Sequence, residues 1–422
     1  MPPLDVDTAV PGPEWLRSRR AVSVERLAAA TLPTAEEEVW RYSRIGDLSL
    51  DAFTPAVEVT DPEVVAGCRV VADAVAPVRS GLLVLVDGYV AHVEIAPDVA
   101  ARGVVLAPAS EATAGESILG AVLGEPTDYF GALNDGHAPA PAVLDIPRGV
   151  VLDAPVVVIE HTATAGSLSL PRVAVRAGQN SAATVIGVQR SADVAALVVP
   201  VLELDVAESA RLTYLSVQDL GREVWQIGTQ VSRVGGQAHL MSATAALGGD
   251  YARLRTNCTL AGRGATGDLL AIYFGDGAQT LDFRTFQDHV APDTTSNLLF
   301  KGAVGGRSRS VYTGLIRVRP DARGTNALQT NRNIKLSEQA WAESVPNLEI
   351  ENNDVRCSHA SSVGPIDEQQ RFYLESRGVP PVAAERLIVA GFFAEVLARM
   401  PAAGVAAELR RRITDKLERT VD

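Results

Sequence analysis

Hydrophobic and polar positions alternate with three different rhythms along this chain. The first rhythm, over residues 1–80, is helical but irregular. WLRSRRAVSVERLAAAT (15–31) places Leu16, Val22, Val24 and Leu27 near one helical face and stops at Pro33, and EEEVWRYSRIGDL (36–48) predicts a second short element that brings Trp40 and Tyr42 together. From about residue 81 to 356 the period becomes two. LLVLVDGYVAHVEI (82–95) predicts a hairpin turning at Asp87-Gly88. PVVVIEH (155–161), RVAVRAG (172–178), VLELDVAESARLTYLSV (201–217), VWQIGTQVSRV (224–234), RLRTNCTLAGRG (253–264), DLLAIYFGDG (268–277), TLDFRTFQ (280–287) and VYTGLIRVR (311–319) continue it. Leu202, Leu204 and Val206 alternate with Glu203 and Asp205, so one face of each segment turns inward and the other meets water.

After residue 365 the helical rhythm returns. Asp367 is placed to cap a helix, with Gln370 three residues on and Gly378 as its stop. A second helix, about 381–399, lines up Leu387, Ile388, Gly391, Phe392 and Val396 along one stripe. A third, 403–419, repeats Val405, Leu409, Ile413 and Leu417 at four-residue steps beneath a charged face. That narrow stripe must pack either on this chain's own core, the favoured expectation, or on a partner.

The long middle stretch lacks helices suited to crossover connections, which excludes a Rossmann-type or TIM-barrel arrangement. A sandwich, a propeller or a β-helix remains, and no blade-length repeat supports the propeller. Aromatic residues are only 5% of the chain, and the turns recur at roughly ten-residue spacing. Both favour stacked coils, a parallel β-helix. The expected organisation is a helical domain over 1–80, a β-rich core over 81–365 and a helical domain over 366–422.

Composition narrows the chemistry. At 422 residues, 47% apolar and 21% charged, the chain is globular. Its 38 basic and 51 acidic residues leave a net charge of −13, which argues against nucleic acid and anionic membrane as partners. The cysteines Cys68, Cys258 and Cys357 are far apart and odd in number, which points to a reducing compartment. The opening MPPLDVDTAVPGPEW lacks the basic and apolar regions of a signal peptide, and no stretch reaches the roughly 20 apolar residues of a membrane span. A cytoplasmic protein is expected.

Few motifs carry chemistry. GRGATG (262–267) fits G-x-G-x-x-G, but DLLAIYF follows as a strand where a phosphate-binding helix would have to begin, so it reads as a turn. P-loop, H-E-x-x-H, G-x-S-x-G and C-x-x-C motifs are absent. His92, His137, His161 and His239 stand alone and are expected to be structural; Cys258 falls on the apolar face of its strand, as an inert thiol would. Cys357-Ser358-His359 is the exception. In an extended segment residues i and i+2 point the same way about 6.6 Å apart, so the thiol and imidazole face one point while Ser358 turns away. These are donors that iron or zinc accept, yet two ligands are short of the four a closed site needs. Left at that, the segment is either a structural strand end or half of a site that another chain completes.

Longer stretches resemble a known family. DVRCSHASSVGPIDEQQRFYLESRGV (354–379), DHVAPDTTSNLLFKG (288–302) and TNALQTNRNIKLSEQAWAESVPNLEIENNDV (325–355) are similar to the SufB/SufD family of iron–sulfur cluster assembly proteins. EEEVWRYSRIGDL and the CSH form of the motif resemble its SufD branch. The resemblance implies a right-handed parallel β-helix between N- and C-terminal helical domains, in a scaffold without enzymatic activity of its own. It implies pairing with SufB through the end of the β-helix and attachment of the SufC ATPase to the C-terminal helices, for which Phe372, Tyr373, Leu387 and Phe392 are the candidate contacts. Cys357 and His359 lie on the family positions where iron or a nascent cluster is held transiently between subunits; no cofactor bound stably by this chain is implied. A homodimer in isolation is a further expectation. One departure stands out: Ala360-Ser361-Ser362 replaces the family's glycine-containing segment after the histidine, which restricts the local backbone. Two rivals remain, a β-helix carbohydrate-active enzyme and a homodimeric structural protein.

Overall fold

The computed structural model describes residues 12–59, 61–400 and 403–421. Most of the opening segment considered for a signal peptide, residues 1–11, lies outside them. The chain forms a parallel β-solenoid of about eight turns with helices at both ends of the sequence, 24% helix and 42% strand in all. Successive strands of the solenoid alternate between two long sheets, and within each sheet a strand pairs in parallel with the strand one turn later, typically 28–31 residues on. Thus Arg253 pairs with Asp282 and Asp282 with Val311, while Leu269 pairs with Leu298 and Leu298 with Gln329.

The hairpin forms as predicted. Gly81–Val86 and Tyr89–Ile95 pair antiparallel around Asp87 and Gly88, whose φ values of 51° and 90° suit the twist of a two-residue turn. The segment 201–217 breaks into Val201–Val206 and Arg211–Asp219, because Ser209 takes a φ of 58° between them. The GRGATG turn leads into the strand Thr266–Gly275, as expected. Several strands lacked a clear apolar alternation in the sequence. In Thr325–Lys335 the row turned inward is Thr325, Ala327, Gln329, Asn331 and Asn333, all buried but mostly polar. Their amide nitrogens donate inside the lumen: Gln329 to the Tyr312 hydroxyl at 2.6 Å, Asn331 to that of Tyr273 at 2.8 Å and Asn333 to Asn331 Oδ1 at 2.8 Å. Tyr273, Phe283, Phe300 and Tyr312 stack there with centroids 4.6–5.8 Å apart.

Two sequence readings of helices need correction. In Glu14–Ala29 the buried face is Leu16, Arg20, Ser23 and Leu27, while Val22 is exposed. Arg20 is drawn inward because it donates to the Ala138 carbonyl at 2.7 Å. Its receiving helix, Tyr129–His137, went unseen in the period-two stretch. Every residue from Phe130 to His137 is buried, so no apolar stripe sets it apart.

EEEVWRYSRIGDL forms short 3-10 turns lying across one sheet. Trp40 is buried, with the Arg253 guanidinium 3.9 Å above its ring. Arg253 and Arg284, both bound to Asp282, donate to the carbonyls of Val39 and Arg41. At the other end of the chain the helix Ala403–Val421 buries Val405, Leu409, Ile413 and Leu417 against the outer face of the other sheet, so its stripe packs on the chain's own core. Cys68 and Cys258 are buried, and burial pushes the Cys258 thiol up to about 11, which fits an inert side chain.

Candidate functional site at the open end of the solenoid

Each sheet ends on a strand with a neighbour on one side only, Trp341–Ile350 in one and Val355–Pro365 in the other. Their residues are half-buried or exposed, in contrast to the buried strands beneath them. The solenoid therefore stops at an uncovered mouth with two free strand edges, a template for pairing with another chain.

Cys357 and His359 lie on this last rung. Cys357 pairs with Ala327 and His359 with Gln329, so both continue the lumen-facing row of the strand below. Cys357 is half-buried beside Ile316, Val318 and Ala327, and His359 is exposed. Two residues apart on a regular strand, they share a face, as the sequence predicts. Ala360-Ser361-Ser362 stays in register with Thr330, Asn331 and Arg332, and none of the three adopts a positive φ. The missing glycine leaves the strand undisturbed. Burial raises the Cys357 thiol above its ordinary range, against a smaller opposing hydrogen bond from the Ala327 backbone. The thiol is therefore neutral near pH 7, and a metal arriving there must displace its proton. No cluster of three or more His, Cys, Asp and Glu side chains suited to a metal occurs among the described residues. The soft sulfur and the imidazole suit iron, but they supply only part of a coordination shell.

A second feature begins on the same strand. Ser362–Pro365, the helix Glu368–Ser376 and the helix Pro381–Arg399 enclose an open groove of about 1120 Å³. The first helix is built as the sequence predicts: Asp367 accepts from the amides of Gln369 and Gln370, and Gly378 follows the helix at a φ of 86°. In the second helix the stripe is rotated from its predicted position. Ala384, Val389, Phe393, Val396 and Leu397 face the core, while Leu387 is 55% exposed. Two apolar stripes compete on this helix, and an anchor from the solenoid chooses between them: the Lys301 ammonium, itself buried, binds the Phe392 carbonyl at 2.9 Å and Glu395 at 2.6 Å. Tyr373, Leu387 and Phe392 consequently line the groove together with Leu374, Ile388 and Gly391, while Phe372 stands outside it, 73% exposed.

Among the single histidines, His239 binds Asp268 at 2.9 Å and His137 is buried; both serve the fold. No helix among the described residues is long and apolar enough to cross a membrane.

Residues 158–392 match the family described as SUF system FeS cluster assembly, SufBD core domain. An iron–sulfur cluster assembly SufBD family protein of Mycobacterium bovis is 38% identical over 229 residues, 52% of this chain and 57% of the relative. The iron–sulfur cluster assembly protein SufD of Bacillus subtilis is 32% identical over 217 residues, 51% of this chain and 50% of the relative. SufD of Escherichia coli is 33% identical over 171 residues, 40% of each chain. The chain thus spans about half the length of the curated relatives it matches.

Proposed function

The chain belongs to the SufBD core family of iron–sulfur cluster assembly proteins, and from that premise we propose that it is a SufD-type scaffold subunit, not an enzyme by itself. The observation that carries this reading is the uncovered last rung, with Cys357 and His359 on its lumen-facing row between two free strand edges. A SufB partner presenting its own solenoid end would cover those edges and supply the ligands this chain lacks. Iron, or the growing cluster, is then cargo held at the seam: the Cys357 thiol would exchange its proton for the incoming metal, the proton passing to water or to the exposed imidazole of His359, which otherwise serves as a ligand.

The groove is the proposed seat of the SufC ATPase. Tyr373, Leu387 and Phe392 offer an apolar lining, and Phe372, exposed outside the groove, is a further candidate contact. Its wall at Ser362–Pro365 belongs to the strand that bears Cys357, roughly 20 Å along at the rise of an extended chain. Movement of two bound ATPases toward each other would pull on that strand and open the seam to iron and sulfide. The chain would work in the cytoplasm, where thiols stay reduced.

The test uses the complex reconstituted with SufB and SufC. Cys357→Ala and His359→Ala should each leave assembly intact and lower the yield of cluster, read by anaerobic absorption spectroscopy. Full yield from both variants would remove the site assignment.

A further inference from the structure

Glu160, on the strand Val156–Thr162, turns its side chain into the lumen on the row of Val156 and Val158. The register stacks Gln189 on it and Gln218 on Gln189. Gln189 Nε2 donates to Glu160 Oε2 at 2.8 Å, and from the facing sheet Gln226 Nε2 donates to Gln189 Oε1 at 2.8 Å. These side chains border a cavity of about 40 Å³, whose wall also includes Tyr214, Ser216 and Gln230. At roughly 10–15 Å³ each, it holds a few water-sized occupants. Glu160 Oε1 and Gln226 Oε1 have no hydrogen-bond partner among the described residues.

The charge of this carboxylate is uncompensated. No cationic side chain among the described residues forms an ion pair with it. Arg253, which borders the cavity, is committed to Asp282 at 2.6 Å and to the Val39 carbonyl. His161 and Arg190 are the strand neighbours of Glu160 and Gln189 and so point to the opposite face. Tyr214 stays neutral, its phenol raised by burial and then by Glu160. Burial pushes the Glu160 carboxyl up to about 7, against the hydrogen bond from Gln189. Near neutral pH either a proton or a cation must cancel the charge. A proton on the carboxyl can bridge to only one of the surrounding amide and hydroxyl oxygens; a hard cation gathers several of them.

We propose that the lumen cavity is a site for one monovalent cation of the sodium or potassium class, with Glu160 as its charged ligand and neutral oxygens, Gln226 Oε1 among them, completing the shell. One carboxylate matches one positive charge, and the cavity is too small for the retained waters of magnesium. The site is independent of the cluster chemistry at the mouth.

The experiment is thermal unfolding of the whole chain in potassium, sodium and choline chloride at equal ionic strength. At pH about 8.5 the small cations should raise Tm by about 2–4 °C over choline. At pH about 5.5, where the proton occupies Glu160, the difference should vanish, and Glu160→Gln should show none at either pH. Identical Tm values in all three salts at the higher pH would overturn the proposal, as would a cation response that survives in Glu160→Gln. Should that variant not fold, thallium-205 resonance of the wild-type chain decides: a bound signal displaced by potassium supports the site, and its absence refutes it.

Discussion

Lys416, on the C-terminal helix, and Asp276, on the solenoid, face each other at 3.1 Å with side chains only 6% and 5% exposed. The ammonium also donates to the Phe274 carbonyl and to Gln279 Oε1. A helix whose sequence shows an apolar stripe and a charged face is thus fastened by one buried charge within that polar remainder. Lys416→Met would fill the space yet leave the Leu247 and Phe274 carbonyls and Gln279 Oε1 without the ammonium, while Asp276 keeps Arg222 at 2.6 Å. The expected cost is about 1–3 kcal/mol, seen as a lower urea midpoint and as faster proteolysis between residues 400 and 421.

Docking at the groove separates from stability. Leu387 is largely exposed and Val389, two residues on, is fully buried. Leu387→Glu should weaken ATPase binding at least tenfold, about 1.4 kcal/mol, with Tm unchanged. Val389→Glu should unfold the helix. Calorimetric titration of the two variants checks the pair, and wild-type affinity in Leu387→Glu would move the docking site elsewhere.

The N-terminal strap holds through Trp40. Removing its ring takes away a buried indole and the surface on which Arg253 lies. Trp40→Ala should cost about 3–5 kcal/mol and make residues 36–53 the first site of protease cleavage. Equilibrium unfolding and mass mapping of the first cut measure both.

Acid sensitivity follows from His289. Its ring is buried, with Nδ1 2.8 Å from Thr294 Oγ1 and Nε2 2.9 Å from Ser296 Oγ. Burial, against the attraction of Asp288, pushes the imidazole down to about 4. The unfolded chain binds the proton from its ordinary value near 6.5 downward, so this group withdraws stability as pH falls from about 6.5 to 4, on the order of 3 kcal/mol in full. Glu160 has the opposite sign: its carboxyl is raised from 4.5 to about 7, and its contribution is lost as pH rises through that window. Urea midpoints across the range should show a flatter acid limb in His289→Gln and a steeper one in Glu160→Gln.

Local rules reach far in this chain. The two-residue turn at Asp87-Gly88, the cap at Asp367, the period of two and the shared face of Cys357 and His359 each depend on a few neighbouring residues, and each is present in the fold. Where two faces of one element are both apolar, as in Pro381–Arg399, the pattern cannot rank them; the ranking came from Lys301, some 90 residues away. Helix Tyr129–His137 and the polar row Gln329–Asn333 escaped for the same cause. One is enclosed on all sides and the other buries polar side chains that donate to tyrosine hydroxyls of other strands, so neither shows an amphipathic rhythm.

By itself, then, the sequence determined the strand rhythm, the helical ends and the residue pair at the last rung, because dihedral preference and side-chain alternation act over a few positions. Only the tertiary structure decided which polar groups could be buried and which apolar ones had to remain outside. Burial of Glu160, Arg253 or Lys416 is settled by donors and acceptors that the coiling chain brings from other turns, and no local pattern contains them.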